Sequence, residues 1–208
     1  IAMLAVGNGA QASITGSISS IGTNLLFVFR GSADGPPGGP GSGGSGNNDR
    51  PLTLSDAEAI ADPLAAPSVD LVAPAIQGNG TITFSGENTT TTISGVTPGY
   101  APVRNLELAE GEFINEEHIL GRMSVVVLGP ETAIAIFGHS DGIVGETIRI
   151  EGQPFRIIGV LVAKGGGAFG SEDNSAYIPF TTAQARLIKR SSLDEIDVLF
   201  VQATTAES

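Results

Sequence analysis

The pattern of hydrophobic and polar positions along this chain predicts many short strands. Continuous apolar runs are typical of strands covered on both faces, and alternation indicates strands with one covered face. These patterns predict strands over residues 24–29, 69–76, 81–84, 89–93, 125–129, 146–151, 154–162, 177–180 and 196–202. The strands over 146–151 and 154–162 are predicted to form a hairpin about Gly152-Gln153.

Helix start and stop signals predict short helices between these strands. Thr53 and Asp56 have the spacing of a capping box and precede a predicted helix over residues 54–62. Pro130 stands at the first position of another helix, which Gly138 ends. Both helices are short, and the first has about two or three turns.

A second capping-box spacing, Thr181 with Gln184, precedes a helix that carries Ala185, Leu187 and Ile188. Because strands outnumber helices and the helices are short, the predicted fold class is α+β with mixed sheets.

The start of the chain has the pattern of a helix near a membrane. Residues 1–29 carry no charge, and Ile14, Ile18, Ile21 and Leu25 fall on one helical stripe. The opening IAMLAV covers only six residues, far fewer than the roughly 20 that span a bilayer. An ordinary amphipathic helix remains the alternative interpretation.

Residues 31–49 form a segment of low complexity, in which Gly and Pro make up eleven of nineteen positions. This composition predicts a flexible excursion without packed structure. We expect the excursion to be dispensable for folding.

Composition and charge exclude several classes of function. The 208 residues include 22 acidic and 10 basic side chains, with a net charge of -12 and no Cys. A surface that binds nucleic acid needs clustered Lys and Arg, which this chain lacks. The absence of Cys excludes disulfides, thiolate metal sites and a Cys nucleophile.

Residues 138–142, GHSDG, match the G-x-S-x-G pattern of serine hydrolases. In those enzymes a strand precedes the Ser and a helix follows it, whereas here the predicted order is reversed. The two histidines, His118 and His139, both precede Ser140, although the hydrolase order places the His after the Ser. We therefore interpret this motif as a turn.

Two glycine patterns resemble nucleotide-binding motifs. Residues 7–12 fit a relaxed G-x-G-x-x-A fingerprint, but the first acidic residue after it, Asp34, lies in the Gly-rich excursion. Residues 165–167 with Gly170 are not followed by Gly-Lys-Ser/Thr, so they form no P-loop. We expect no cofactor site in either segment.

The acidic clusters of the sequence do not predict a specific metal site. The adjacent residues 116–118, EEH, would point to different faces of any regular element. Glu172 and Asp173 with Asn174 could bind Ca²⁺ weakly, but a solvated acidic loop is the preferred interpretation. We therefore expect no catalytic, cofactor-binding or metal-binding residues in this chain.

The order of short segments resembles a known family, the MacB-like periplasmic core domain of FtsX-like ABC transporter permeases. The segments that carry the resemblance, in order, are AVGNGAQASI, SIGTNLL, LTLSDAEAI, VTPGY, LELAEGEF, VVVLG, IFG, GQPFRIIGVL and IPFTTAQARL. The resemblance implies a porter-like βαβ subdomain with an inserted strand-rich, sabre-like subdomain.

The resemblance also implies how the chain is divided. Residues 1–23 would be a membrane-proximal helix at the end of the first transmembrane helix, and residues 24–104 the first porter-like half. Residues 105–190 would be the insertion, and residues 191–208 an incomplete return to the porter-like subdomain. Further apolar residues are expected before residue 1, and a helix, a strand and further spanning segments after residue 208.

In function, the resemblance implies an extracytoplasmic domain without chemistry of its own. It would transmit ATP-driven movements of transmembrane helices to substrate or periplasmic partners during export of macrolides, peptides or lipoproteins. The implied partners are an ABC ATPase domain or subunit, a second permease copy and a periplasmic adaptor protein, at the bacterial cytoplasmic membrane. The alternative is a secreted, non-catalytic binding or adhesion module.

Overall fold

A computed structural model describes residues 25–29, 51–165, 172–190, 192 and 194–204. The predictions for residues 1–23 and 31–49, including the glycine pattern at 7–12, lie outside these ranges. Of the helices described, none is long and apolar enough to cross a membrane.

Strands dominate the described part of the chain, as the hydrophobic pattern predicts. The strands are β1 (Leu25–Phe29), β2 (Leu52–Thr53), β3 (Val69–Phe84), β4 (Glu87–Val96), β5 (Leu108–Gly111), β6 (Val125–Leu128), β7 (Thr147–Ile150), β8 (Gln153–Leu161), β9 (Ser175–Pro179), β10 (Glu195–Ile196) and β11 (Val198–Ala203). The helices are α1 (Leu54–Ala61), α2 (Tyr100–Val103), α3 (Glu116–Leu120), α4 (Pro130–Phe137) and α5 (Phe180–Arg186). The predicted α+β class is confirmed.

Nine of the strands form one mixed sheet in the order β1-β11-β3-β4-β9-β6-β8-β5, with β7 joined to β3 and β8. The β4–β9 and β6–β8 pairs are parallel, and the other pairs in this sheet are antiparallel. The short strands β2 and β10 pair separately. The sheet therefore connects strands from both ends of the chain.

Part of this sheet closes on itself. The pairings run from β3 through β4, β9, β6, β8 and β7 and return to β3, where Ile82 lies opposite Ile150. A closed set of strands leaves fewer unpaired edges than an open sheet of the same strands. The β1 and β11 strands extend the sheet beyond this closed part, along the first half of β3.

Strand β3 differs from the prediction. The prediction gave two strands, over residues 69–76 and 81–84, but the structure has one strand of 16 residues. The intervening Gly78 and Gly80 do not break it, because both stay in continuous register with β4, opposite Ile93 and Thr91. A Cβ at Gly80 would lie 2.8 Å from Ile93 Cγ1, and one at Gly78 would lie 3.4 Å from Ile188 Cγ1.

The termini of α1 and α4 are as predicted. The Thr53 hydroxyl accepts a hydrogen bond from the Asp56 amide, and the Asp56 carboxylate accepts one from the Thr53 amide at 2.9 Å. Pro130 begins α4, and Gly138 ends it in the left-handed conformation with φ of 78°. Its N–H donates to Ile134 O at 2.8 Å, which satisfies one of the last carbonyls of the helix.

The prediction of a capping box before α5 is wrong. The helix begins at Phe180 and ends at Arg186, with Pro179 as N-cap and no side-chain capping bond. The Thr181 hydroxyl instead donates to Ile119 O at 2.6 Å, which ties α5 to α3. Long-range hydrogen bonding has here replaced the local pattern that the sequence suggested.

Two hydrophobic clusters lie on opposite faces of the strands. On β6, Val126 and Leu128 belong to the first cluster, while Val127 belongs to the second, as the alternation of a strand requires. Helices α4 and α5 contribute to the first cluster. The second cluster contains Tyr100 and Tyr177, and the site described below adjoins it.

Candidate functional site

Arg104 lies against the two strands at one end of the sheet. It follows α2 directly, and its amide donates to Tyr100 O at 2.9 Å, which fixes the backbone at the helix end. Its guanidinium carbon lies 5.2 Å from the ring centroid of Phe27 on β1 and 5.0 Å from that of Phe200 on β11. Both distances are within the range of a cation–π interaction.

Glu172 balances the charge of Arg104. The Glu172 carboxylate pairs with Arg104 Nη2, and Lys164 Nζ lies 3.7 Å from its second oxygen. Lys164 Nζ also donates to Arg104 O at 2.7 Å. The side chains of Arg104 and Glu172 are only 11% and 13% exposed, so this ion pair is largely withdrawn from water.

The expectation of a solvated acidic loop is therefore wrong for Glu172 and Asp173, whereas Asn174 is exposed as expected. Asp173 is 5% exposed, and its carboxylate accepts hydrogen bonds from the Lys164 and Gly165 amides, both at 2.8 Å. Asn174 accepts from the Thr91 hydroxyl at its backbone and side-chain oxygens. The oxygens of Asp173 and Asn174 already accept these hydrogen bonds, which fix the end of the loop before β9. A Ca²⁺ ion could use the oxygens as ligands only by breaking the hydrogen bonds.

Two buried tyrosines stand beside the ion pair. The ring centroids of Tyr100 and Tyr177 are 5.5 Å apart, and both residues are almost fully buried. Burial raises the pKa of Tyr100 to about 12 and raises the pKa of Tyr177 well above its ordinary value. Both phenols are therefore neutral near pH 7, and both belong to the second hydrophobic cluster.

The structure supports the interpretation of Ser140 as a turn residue. A helix, α4, precedes it, and a strand, β7, follows it, which is the reverse of the hydrolase arrangement. The neighbouring His139 uses Nδ1 in a 2.8 Å hydrogen bond with Asp141 O, within the same turn. The arrangement is therefore that of a local turn between α4 and β7.

The cluster at residues 116–118 is also structural. His118 is buried, and its Nδ1 accepts from the Asn115 amide at 3.2 Å, while the Asn115 side chain accepts from the His118 amide. Glu116 and Glu117 are exposed on the other side of α3. Among the residues that the structure describes, no group of three or more His, Cys, Asp or Glu side chains could hold a metal ion.

Two surface pockets are small. One, beside Lys164 and Glu172, measures about 160 Å³, and the other, between Gln77 and Arg190, measures about 210 Å³. Small-molecule sites typically enclose roughly 300–1,000 Å³. Neither pocket therefore encloses a drug-sized ligand.

The first and last described strands run side by side. Strands β1 and β11 pair in antiparallel register, with Leu25 opposite Gln202 and Phe27 opposite Phe200. The chain therefore enters β1 and leaves β11 at the same end of the sheet. Arg104 packs against the second of these pairs, so it contacts both strands at once.

Comparison with known sequences identifies the family. The sequence profile of the MacB-like periplasmic core domain matches residues 1–208. This chain belongs to the MacB-like periplasmic core domain family. Among relatives, the macrolide export ATP-binding/permease protein MacB of Rhodospirillum rubrum is 36% identical over 209 residues, which cover 100% of this chain and 30% of the relative. MacB of Hyphomonas neptunium is 32% identical over 197 residues, 94% of this chain and 29% of the relative.

Solved structures confirm the MacB-like fold. The periplasmic region of MacB from Actinobacillus actinomycetemcomitans matches with a TM-score of 0.69 at 23% identity, over 89% of this chain and 77% of that one. The extracellular domain of the noncanonical ABC-type transporter YknZ from Gram-positive bacteria matches with a TM-score of 0.64 at 19% identity, over 88% and 86%. The chain spans less than a third of the length of the curated MacB relatives.

Sequence reasoning missed Arg104 as a member of a site. Its partner Glu172 is 68 positions away, and Phe27 and Phe200 lie near opposite ends of the chain. No local spacing joins these residues. The available signal was that Arg104 is one of only 10 basic residues and directly follows an apolar, aromatic segment.

Proposed function

We propose that this MacB-like domain is the extracytoplasmic part of an ABC transporter permease and transmits ATP-driven movements of transmembrane helices during export. The observation that carries the proposal is the match of the family profile to residues 1–208, together with the fold shared with the MacB periplasmic region. Relatives named as macrolide export ATP-binding/permease proteins support export as the process.

The pairing of β1 with β11 supports transmission of movement. Segments attached before Leu25 and after Gln202 would pull on adjacent, hydrogen-bonded strands. Strand β11 also pairs with β3, and β3 belongs to the closed part of the sheet. A displacement at the entry and exit points would therefore move the described domain through continuous backbone pairing.

The proposal places the domain on the periplasmic side of the bacterial cytoplasmic membrane. Its partners would be an ABC ATPase domain or subunit, a second permease copy and a periplasmic adaptor protein, with flanking transmembrane helices as the anchor. Residues 24–104 and 191–208 would form the porter-like subdomain, and residues 105–190 the sabre-like insertion. Export of macrolides is the first substrate class to test, because the relatives carry that name.

The proposal assigns no chemistry to this chain. ATP hydrolysis would occur in the ATPase, and the domain would change position with the nucleotide state. The local hydrogen bonds of Ser140's turn and the bonded oxygens of Asp173 support this assignment.

The test uses the complete reading frame that contains this chain, expressed in an export-deficient host. Replacing residues 25–204 by a Gly/Ser linker should abolish macrolide resistance and leave ATP hydrolysis by the purified transporter measurable. A matched transporter with Ser140→Ala should export like the wild type. Export that survives the replacement would contradict the proposal, and a reading frame without flanking membrane segments would favour a secreted binding module.

A further inference from the structure

Among the described residues, β1 is paired along one edge only, with β11. An edge strand with a single partner opens more readily than a strand inside a sheet, because fewer hydrogen bonds must break. Leu26 and Phe29 on β1 are 60% and 40% exposed, so packing covers this strand incompletely. Contacts from outside the strand pair therefore matter for how firmly β1 is held.

Arg104 supplies such a contact. Its guanidinium lies over Phe27 of β1 and Phe200 of β11, and these two rings pack edge to face at 5.3 Å. Glu172 pairs with the same guanidinium, and Lys164 bonds the Arg104 carbonyl. The guanidinium thus lies between the rings of Phe27 and Phe200 on one side and the Glu172 carboxylate on the other.

The Arg104–Glu172 pair is largely buried, and burial makes the removal of its charges from water costly. Within the described part of the chain, Arg104 Nε is buried and has no hydrogen-bond partner. Replacing a buried ion pair by well-packed apolar residues of similar volume is often neutral or stabilising, whereas removal of one partner leaves an uncompensated charge. Substitution of both residues by apolar ones can therefore show whether the pair stabilises β1 in particular or the whole fold.

We infer that Arg104 and Glu172 form a clamp that holds β1, together with β11, against the body of the domain. The biological role of the clamp rests on the proposed function. In that role, the clamp keeps β1, where the chain enters the domain, paired with β11 when the flanking segments move. Arg104 and Glu172 are thus positioning residues for transmission, and they touch no reacting group.

The experiment measures amide hydrogen exchange in the 208-residue chain by mass spectrometry. In Arg104→Met/Glu172→Leu, amides of residues 25–29 should exchange about tenfold faster than in the wild type, since the cation no longer holds the two rings. The thermal midpoint should stay within about 4 °C of wild type, because both members of the Arg104–Glu172 pair are removed, and Lys164, whose side chain is 22% exposed, keeps its hydrogen bond to the Arg104 carbonyl. Exchange in β6 and β9 should be unchanged.

Arg104→Lys tests the geometry of the clamp without removing the charge. A lysine ammonium lacks the planar guanidinium that stacks on aromatic rings and pairs with a carboxylate by two nitrogens. Exchange over residues 25–29 should lie between that of the wild type and that of the double variant. This variant also keeps the inference testable if the double variant fails to fold.

Arg190→Met/Asp197→Leu is the matched control, since Arg190 and Asp197 form a second partly buried ion pair. That pair lies directly before β11, next to the Phe29–Val198 end of the strand pair, so its loss should leave exchange at Leu25–Phe27 at the wild-type rate. Wild-type β1 exchange in both Arg104 variants, or equally fast β1 exchange in the control, would overturn the clamp.

These outcomes are distinguishable from failure of the proposed function, because the exchange experiment involves neither flanking segments nor nucleotide. Unchanged exchange would overturn the clamp and leave the transporter assignment standing. Export that survives replacement of residues 25–204 would overturn the transporter assignment and leave the clamp as a structural feature.

Discussion

Leu25 lies directly opposite Gln202 in the antiparallel register of β1 and β11. The two residues are 177 positions apart, yet they are neighbours across one strand pair at one end of the sheet. This relationship brings the start of β1 and the end of β11 together, and it supports the proposal that the domain is inserted between two anchored segments.

The register predicts a specific disulfide in this cysteine-free chain. Opposed residues in an antiparallel pair have Cα atoms about 4.5–5.5 Å apart, within the range that a disulfide bridges. Leu25→Cys/Gln202→Cys should therefore oxidise to an intramolecular disulfide, which non-reducing electrophoresis or mass spectrometry detects. In the control Leu25→Cys/Val198→Cys, the second Cys lies about 13 Å along the strand and should stay reduced. Efficient oxidation of the control would contradict the register.

The buried tyrosines predict a loss of stability at alkaline pH. The pKa of Tyr100 is raised to about 12 in the folded chain, above the ordinary value of 10.0 that applies after unfolding. The stabilising contribution is therefore complete below pH 10 and is lost as the pH rises toward 12. Ionisation of Tyr100 should lower the free energy of unfolding by about 1.4 kcal/mol per pH unit in this window, and Tyr177, whose pKa is also raised, should act in the same direction.

Tyr100→Phe should make this alkaline decline shallower than in the wild type, as measured by denaturant unfolding at several pH values. The chain has 2 Tyr and no Trp, so tyrosinate absorbance reports these phenols alone. The absorbance should appear together with unfolding. Ionisation of both tyrosines near pH 10 in the folded chain would contradict the prediction.

Gly111 and Gly86 both have positive φ, but we expect substitution by Ala to cost more stability at Gly111 than at Gly86. Gly111 has φ of 81°, and a Cβ there would lie 2.0 Å from Ile158 O, whereas Gly86 has φ of 96° and open space around it. Gly86→Ala should cost about 1 kcal/mol of unfolding free energy from backbone strain. Gly111→Ala should cost more than about 2 kcal/mol, because β5 must also move away from β8. Equal costs in chemical denaturation would show that the close approach is absent.

Ser140→Ala tests the absence of hydrolytic chemistry at the turn after α4. We expect no turnover of esters or amides by the purified chain, and an unchanged thermal midpoint, since the turn relies on Gly138 and the backbone of Asp141. Hydrolysis by the wild-type chain that exceeds hydrolysis by Ser140→Ala would contradict this expectation.

The sequence was sufficient for elements whose determinants are local. The capping box of Thr53 and Asp56 and the Pro130 to Gly138 helix each depend on residues within one or two turns. The hairpin of β7 and β8 was also predicted, although its turn at residues 151–152 comes one residue earlier than expected.

The sequence was insufficient where distant groups decide the outcome. Thr181 bonds a carbonyl 62 positions away instead of capping its own helix. Glu172 is largely buried beside Arg104, which comes from a different part of the chain and neutralises it. The burial of an acidic residue cannot be inferred from local spacing when its partner is 68 positions away.

The central claim is that the domain changes position with the nucleotide state of a transporter. The most direct measurement uses the complete transporter with a spin label at Leu64→Cys, a position that is 94% exposed. Double electron–electron resonance spectroscopy would give the distance between the spin labels of two copies, without nucleotide and with bound ATP. A label pair at Leu64 and Leu120 within one copy, both highly exposed, serves as the internal control.

We predict that the distance between copies shifts by several ångströms when ATP binds, while the distance within one copy stays constant, because the domain moves as a body. Identical distances between copies in both nucleotide states would contradict the claim that this domain transmits ATP-driven movement.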